Sequence, residues 1–280
     1  MKIVNIYGGL GNAFFQICFA LYLQDKGHIV KLDLLGLDDA YKAKIRHVLR
    51  YCDFELKECS YHERFLNAFI ISRKRAKKKE LNLLRNFFKK EIYLEGSWGE
   101  IPSDKFSYYF GYFQNFKLAE KYVDLLTTAI NKIAKEGGFS CDFNDNCFLH
   151  VRRGDYGTKH ALEVHGILGQ DYYNSAIECF KHSTKFHIFT NDLDWAKENL
   201  IADNIIPPVN ENYIYPDIVD LYKMSRYKNG IIANSTFSFW AALMNNNILS
   251  KNIVCPQKWF ANYELQKQSY KIKSSGWIEK

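Results

Sequence analysis

Residues 2–34 read KIVNIYGGLGNAFFQICFALYLQDKGHIVKLDL, and the order of their parts decides the fold. KIVNIY (2–7) is β-branched and aromatic and reads as a strand, GGLGN (8–12) as a turn, Ala13 to Lys26 as a helix, and HIVKLDL (28–34) as a second strand. That is a βαβ unit, in which two parallel strands share a sheet covered by the helix between them.

The same alternation continues outward. A long helix is expected from Lys117 to Lys135, with Leu118, Tyr122, Val123, Leu126, Ile130 and Ile133 as its apolar stripe and Gly137-Gly138 as its stop. GGFSCDFNDN (137–146) is rich in turn-formers and reads as a linker. The βα pattern then restarts with CFLHV (147–151) running into RRGD and a helix from about Tyr172 to Phe180. FHIFT (186–190) runs into a helix from Leu193, a helix spans Ile218 to Met224, and GIIA (230–233) leads to a helix from Ser238. The expected class is α/β with parallel sheets, in two halves, 1–139 and 140–280, hinged near residue 140. No internal repeat or low-complexity segment interrupts them.

Composition narrows the function classes. A chain of 280 residues with 47% hydrophobic residues buries a sizeable core. Met1-Lys2 passes at once into a strand, without a charged-then-apolar leader, and no apolar run reaches membrane-spanning length, so a soluble cytoplasmic protein is expected. Seven cysteines without a CxxC pair fit neither a disulfide framework nor a zinc knuckle. The net charge of +7 is local: Arg73 to Lys90 holds nine Lys or Arg against Glu80, and the remainder is close to neutral. Leu81, Leu83, Leu84, Phe87 and Phe88 recur there at near-helical spacing, so the segment reads either as a solvated helix face or as a basic amphipathic helix on an anionic membrane. Nucleic acid is not expected, because no nucleic-acid fold motif accompanies the charge.

Four places where a strand runs into an unusual turn are candidate sites. At the first, Gly9-x-Gly11 with Asp33 resembles a dinucleotide fingerprint, but Phe14 occupies the third glycine position and obstructs the close packing it permits. What survives is a glycine turn that lets backbone N–H groups approach a ligand, or a tight structural turn. The second, LHVRRGDYG (149–157), sets two permanently charged guanidiniums at a strand end, whose planar forks match diphosphate oxygens. A structural ion pair is the alternative, and RGD as an adhesion tripeptide is set aside. In FTNDLDW (189–195), Asp192-x-Asp194 has metal-pair spacing, while Thr190, Asn191 and Asp192 are equally good helix caps. ANSTFSFW (233–240) feeds hydroxyls of Ser235, Thr236 and Ser238 to a helix start, where they cap the helix or bind an anion.

GGLGNAFFQICFALYL, GYFQNFK (111–117), HVRRGDY (150–156), HGILGQDYYNSAI (165–177), FTNDLDWAKENL, DLYKMSRYKNGIIANSTFSFWAALMN (220–245) and PQKWF (256–260) together resemble, in order and over nearly the whole chain, the α-1,2-fucosyltransferases of glycosyltransferase family 11. The double arginine is also similar to that of α-1,6- and protein O-fucosyltransferases. Ala13 and Phe14 depart from the usual polar-then-Met pair, and Tyr227 and Asn229 stand where Cys and His are common.

The resemblance implies a GT-B arrangement of two facing Rossmann-like domains, the N-terminal one taking the acceptor and the C-terminal one GDP-fucose. It implies metal-independent, inverting transfer of fucose, with no cofactor, to O2 of a galactose or similar hexose in a surface glycan or O-antigen oligosaccharide, often lipid-linked. The other linkages sharing the double arginine are the nearest alternative. Arg152 then binds the pyrophosphate and stabilises departing GDP, Arg153 holds the loop, and Asp192 accepts from guanine N1 and N2. His150, Asn234, Ser235, Thr236 and Ser238 fall in the donor motifs, and Gly9, Gly11 and Asn12 close over the sugar. Asp155 and His165 are alternative general bases by motif proximity, beside a donor phosphate oxygen. A bacterial enzyme of this kind is expected in the cytoplasm, peripheral on the inner membrane through Arg73–Lys90. Two other classes stay open, a nicotinamide oxidoreductase and a non-catalytic glycan-binding module.

Overall fold

The opening strand, β1 (Lys2–Asn5), pairs in parallel with β2 (Val30–Asp33), Lys2 opposite Val30 and Asn5 opposite Asp33. Between them α1 spans Leu10–Asp25 and starts earlier than the glycines suggest: the turn contracts to Gly8-Gly9, and Gly11 and Asn12 lie in the first helical turn. Apolar residues run all round α1, so it is buried on most sides; Phe14, Phe15, Ile17, Cys18 and Phe19 have no exposure. The computed structural model describes residues 1–52, 56–63, 92–95, 97–142, 144–154, 158–201, 203–206, 215–244 and 252–280. The basic segment Arg73–Lys90 and Asp155 lie outside the described residues.

The chain divides into two compact units, Met1–Tyr122 and Val123–Lys280. The first holds α2 (Asp39–Tyr51), β3 (Lys57–Glu58), β4 (Ile92–Leu94) and β5 (Tyr108–Phe110) besides β1, α1 and β2. Its five strands lie in the order β3-β2-β1-β5-β4, all parallel. Asp33 is fully buried, accepting from the Tyr108 hydroxyl at 2.6 Å and Leu35 N–H at 3.0 Å, so its carboxylate ties β2 to β5 across β1 instead of facing a ribose.

The division falls in sequence inside α3 (Phe116–Glu136). Gly138, at φ +78°, ends that helix, and Phe139 N–H reaches back to the Ala134 carbonyl, the bond a left-handed glycine stop allows.

The second unit carries β6 (Asn144–Val151), α4 (Lys159–Val164), α5 (Gln170–Ile177), β7 (Phe186–Thr190), α6 (Leu193–Asn199) and β8 (Asn204–Ile206). It continues with α7 (Pro216–Met224), β9 (Tyr227–Ile231), α8 (Thr236–Leu243), β10 (Ile253–Cys255), α9 (Tyr263–Gln266) and β11 (Ile278–Glu279). Its parallel sheet runs β8-β7-β6-β9-β10-β11. β6 alternates strictly: Cys147, Leu149 and Val151 join the core with Tyr173, Ala176, Ile188 and Ala196, while Phe148 turns to the other face. There Phe148 lies so close over β9 that a Cβ on Gly230 would stand 2.3 Å from its ring.

Both units are thus α/β with wholly parallel sheets. No helix among the described residues is long and apolar enough to cross a membrane.

Candidate functional site

In the second sheet the chain winds from β6 through β7 to β8 on one side, then returns to place β9 on the other side of β6. The reversal sets the carboxyl ends of β6 and β9 side by side, the position at which parallel α/β sheets open a ligand crevice. β6 delivers Arg152 and Arg153 there, and β9 runs through Ile232 and Ala233 into Asn234, Ser235 and α8. The two motifs, separated by some eighty residues, are therefore neighbours, and β7, paired with β6 up to Val151 and Thr190, brings Asp192 beside them.

Arg153 is held on all sides. Its N–H donates to Asn191 Oδ1 at 3.0 Å, its Nη1 to the Leu168 carbonyl at 3.1 Å, and its guanidinium lies 4.0 Å over the Trp195 ring. Nε faces Asp192 Oδ2 at 3.5 Å, an ion pair too long and misdirected for a hydrogen bond, and Nε is buried without a hydrogen-bond partner. Gly154 is required by the same contact, since a Cβ there would meet Asn191 Nδ2 at 2.9 Å. Asp192 Oδ1 accepts from Trp195 N–H at 3.2 Å and caps α6. The carboxylate thus faces its own helix start and Arg153. No group of three or more potential metal ligands exists among the described residues.

His150 is 5% exposed, and its Nδ1 has no hydrogen-bond partner. Burial, and then the charge of Arg152, hold its pKa down at about 3, so the imidazole is neutral at physiological pH. A buried nitrogen without a partner costs free energy unless a ligand supplies one. Arg152 is half-buried beside it.

The β9–α8 turn divides its polar groups between roles. Asn234 Nδ2 donates to the carbonyls of His165, at 3.0 Å, and Trp259, at 3.3 Å, clamping together three of the segments quoted from the sequence. Ser238 is fully buried and hydrogen-bonds the Ser235 carbonyl at 3.3 Å, so its hydroxyl serves the turn. Ser235 accepts from Phe237 N–H at 3.3 Å as the cap of α8, and Thr236, half-buried, opens the helix. His165 ends α4, with its ring 5.7 Å from that of Phe260.

Gly9, Gly11 and Asn12 lie in the first unit, at the start of α1. Gly9 caps the helix, and a Cβ on it would meet nothing within 4 Å. The glycine that the backbone demands is Gly8, at φ +82°, where a Cβ would stand 2.8 Å from Asn12 Nδ2. Sequence reasoning also passed over Asp220 of α7, whose Oδ1 is buried without a hydrogen-bond partner. Burial pushes its pKa up to about 6. The available signal was an acidic residue between Val219 and Leu221 inside a buried apolar stripe.

The model of the family described as Glycosyl transferase family 11 matches residues 4–279. The O-antigen biosynthesis glycosyltransferase WbnK of Escherichia coli is 30% identical over 97% of each chain. An alpha-1,2-colitosyltransferase of Escherichia coli is 29% identical over 94% of this chain and 93% of its own. Among solved structures, the glycosyl transferase family 9 protein from Veillonella parvula DSM 2008 is 13% identical with a TM-score of 0.41, covering 98% of this chain and 90% of its own.

Proposed function

The chain belongs to glycosyl transferase family 11, and from that premise we propose that it moves L-fucose from GDP-β-L-fucose to O2 of a galactose or similar hexose in a growing surface glycan. The observation that carries this reading is the meeting of RRG and NSTFS at the switch point of the second sheet, beside a buried, neutral His150 whose Nδ1 has no partner. The O-antigen role and the α-1,2 linkage named for the two relatives support the acceptor class and the bond formed.

In this reading the acceptor O2 attacks the anomeric carbon, the bond to the diphosphate breaks on the opposite face, and fucose is inverted from β to α. Arg152 meets the negative charge that grows on departing GDP, the kind of preorganised charge that lowers a barrier most. Arg153, locked against Trp195 and Leu168, shapes the loop that aims Arg152. The first N–H groups of α8 and the Thr236 hydroxyl take phosphate oxygens. No metal is required, since guanidiniums neutralise the diphosphate. Asp155, His165 and a phosphate oxygen remain the alternatives for the acceptor proton.

Transfer assays with GDP-fucose and GDP-colitose, followed by linkage analysis, test the reading. Fucose on O2 supports it; preference for the colitosyl donor replaces the donor assignment, and a bond to another position rejects the linkage. We also propose that Arg73–Lys90 docks on anionic lipid. Replacing Lys77, Lys78 and Lys79 by Gln then reduces sedimentation with anionic vesicles while leaving transfer to a soluble acceptor intact, and unchanged sedimentation returns the segment to a solvated face.

A further inference from the structure

The first unit has a switch point of its own. Its chain leaves β1 toward β2 and β3, while β5 lies on the other side of β1, so the carboxyl ends of β1 and β5 stand side by side, the place where parallel sheets take ligands. Continuing their register, Ile3 opposite Tyr108 and Val4 opposite Tyr109, brings Tyr7 opposite Tyr112. The rings of Tyr7 and Tyr112 lie 4.6 Å apart with their phenols hydrogen-bonded, and Tyr7 stacks on Phe110 at 4.5 Å and 11°. All three are half-buried, unlike the fully buried Tyr108 and Tyr109 just before them.

The surroundings fix these rings at a conformational cost. Phe113 has φ +53°, the one non-glycine residue with positive φ among the described residues, and such strain persists where the surroundings over-determine it. Here they do: the Glu95 carboxylate accepts from Tyr112 N–H at 2.6 Å and Phe113 N–H at 3.2 Å, and the buried Phe113 ring stacks on Phe19 at 4.2 Å. Gln16 binds Tyr7 N–H and the Gly111 carbonyl, both at 3.0 Å. The twisted backbone turns Tyr112 toward Tyr7 and brings Gln114 Nε2 to Asn12 Oδ1 at 2.7 Å. Gly8 leaves room for both, since a Cβ there would crowd Asn12 and stand 3.3 Å from the Tyr112 ring.

We propose that Tyr7, Phe110 and Tyr112 form the platform on which a neutral pyranose of the glycan acceptor stacks, with Asn12, held by the buried Gln114, at its rim; this rests on the transferase reading above and moves Asn12 from the donor sugar, where the family resemblance puts it, to the acceptor. An aromatic floor with a few convergent amides suits a sugar, whose ring is apolar on its faces and polar at its rim. The carboxylate beside the rings, Glu95, accepts from the N–H groups of Gly99, Tyr112 and Phe113 and so anchors the loop, and the aromatic faces and side-chain amide beside it suit an uncharged hexose.

The test measures saturation-transfer NMR to lactose in the presence of GDP, with GDP affinity by calorimetry and melting temperature on the same samples. Tyr7→Ala and Tyr112→Ala are expected to weaken lactose roughly tenfold while GDP affinity stays unchanged, and Tyr7→Phe, which keeps the ring, to stay within about threefold of the parent. Unchanged lactose binding in folded alanine variants, or GDP weakened in step with lactose, overturns the platform. GDP binding without lactose binding in the parent protein also overturns it, whereas failure to bind GDP at all overturns the transferase reading instead.

Discussion

The guanidinium of Arg153 lies 4.0 Å over the ring of Trp195 while its Nη1 holds the Leu168 carbonyl, so one side chain joins the arginine loop, α6 and the approach to α5. A lysine keeps the charge but cannot stack a plane and reach that carbonyl together. Arg153→Lys is expected to lower stability by roughly 2 kcal/mol, seen as a drop of several degrees in Tm, with a smaller effect on kcat. Trp195→Leu should behave alike, and the double variant should lose much less than the two losses added. Fully additive losses in that cycle refute the coupling.

Gly230 is a packing requirement of β9. A Cβ at that position stands 2.3 Å from a ring carbon of Phe148, which has no exposure and nowhere to withdraw. Gly230→Ala should cost about 3 kcal/mol, the upper end of overpacking, and Phe148→Leu in the same chain should recover part of it. Urea unfolding of the single and the double variant beside the parent reads this directly.

Asp220 sets a pH dependence of unusual sign. Its folded pKa, about 6, lies above the ordinary carboxyl value, so between those limits the folded state binds more protons than the unfolded one. Its contribution to stability is therefore full below about pH 4 and is lost as pH rises toward 6. Asp220→Asn should leave Tm unchanged near pH 4 and raise it at pH 8, by at most about 3 kcal/mol in stability. A lower Tm at pH 8 would show instead that the ionised carboxylate has a folded-state partner. Weakened GDP binding in the same variant would place Asp220 in the donor pocket.

Transfer should continue at full rate in chelator, because the charge balance at the β6–β9 switch point is assigned to guanidiniums. Activity that vanishes in chelator and returns only with Mn²⁺ or Mg²⁺ would restore the metal reading of Asp192 and Asp194.

The βαβ unit, the long helix and both arginine and hydroxyl motifs were legible because each depends on residues close in sequence. Strand order was not, since periodicity does not say that β9 returns to the side of β6 opposite β7. Nor could spacing tell an inward hydroxyl from an outward one: Ser238 faces its own turn and Asn234 clamps two distant loops. The glycine run misled locally, because glycine is read as helix-breaking while Gly11 packs, buried, in the first turn of α1. Phe113 and Asp220 were invisible for a different reason, as strain and an unmet carboxyl oxygen arise only once neighbours are in place.

At the proposed reacting centre, Arg152→Lys separates charge from geometry. The substitution keeps one positive charge but replaces a rigid fork with a single flexible ammonium. If Arg152 meets the diphosphate chiefly as charge develops there, kcat should fall by roughly 10²–10³, the usual loss for one preorganised transition-state donor. GDP affinity should fall far less, because in the proposed donor site ground-state GDP keeps the α8 N–H groups and the hydroxyl of Thr236. His150 supplies an internal check. Its imidazole is held neutral by burial first and by Arg152 second, so it should stay neutral at pH 7 in the lysine variant and in Arg152→Ala alike. The measurement is kcat and GDP affinity for both variants, with Tm as the folding control. Near-normal kcat in folded Arg152→Lys would remove this arginine from the reacting centre and leave it a ground-state contact.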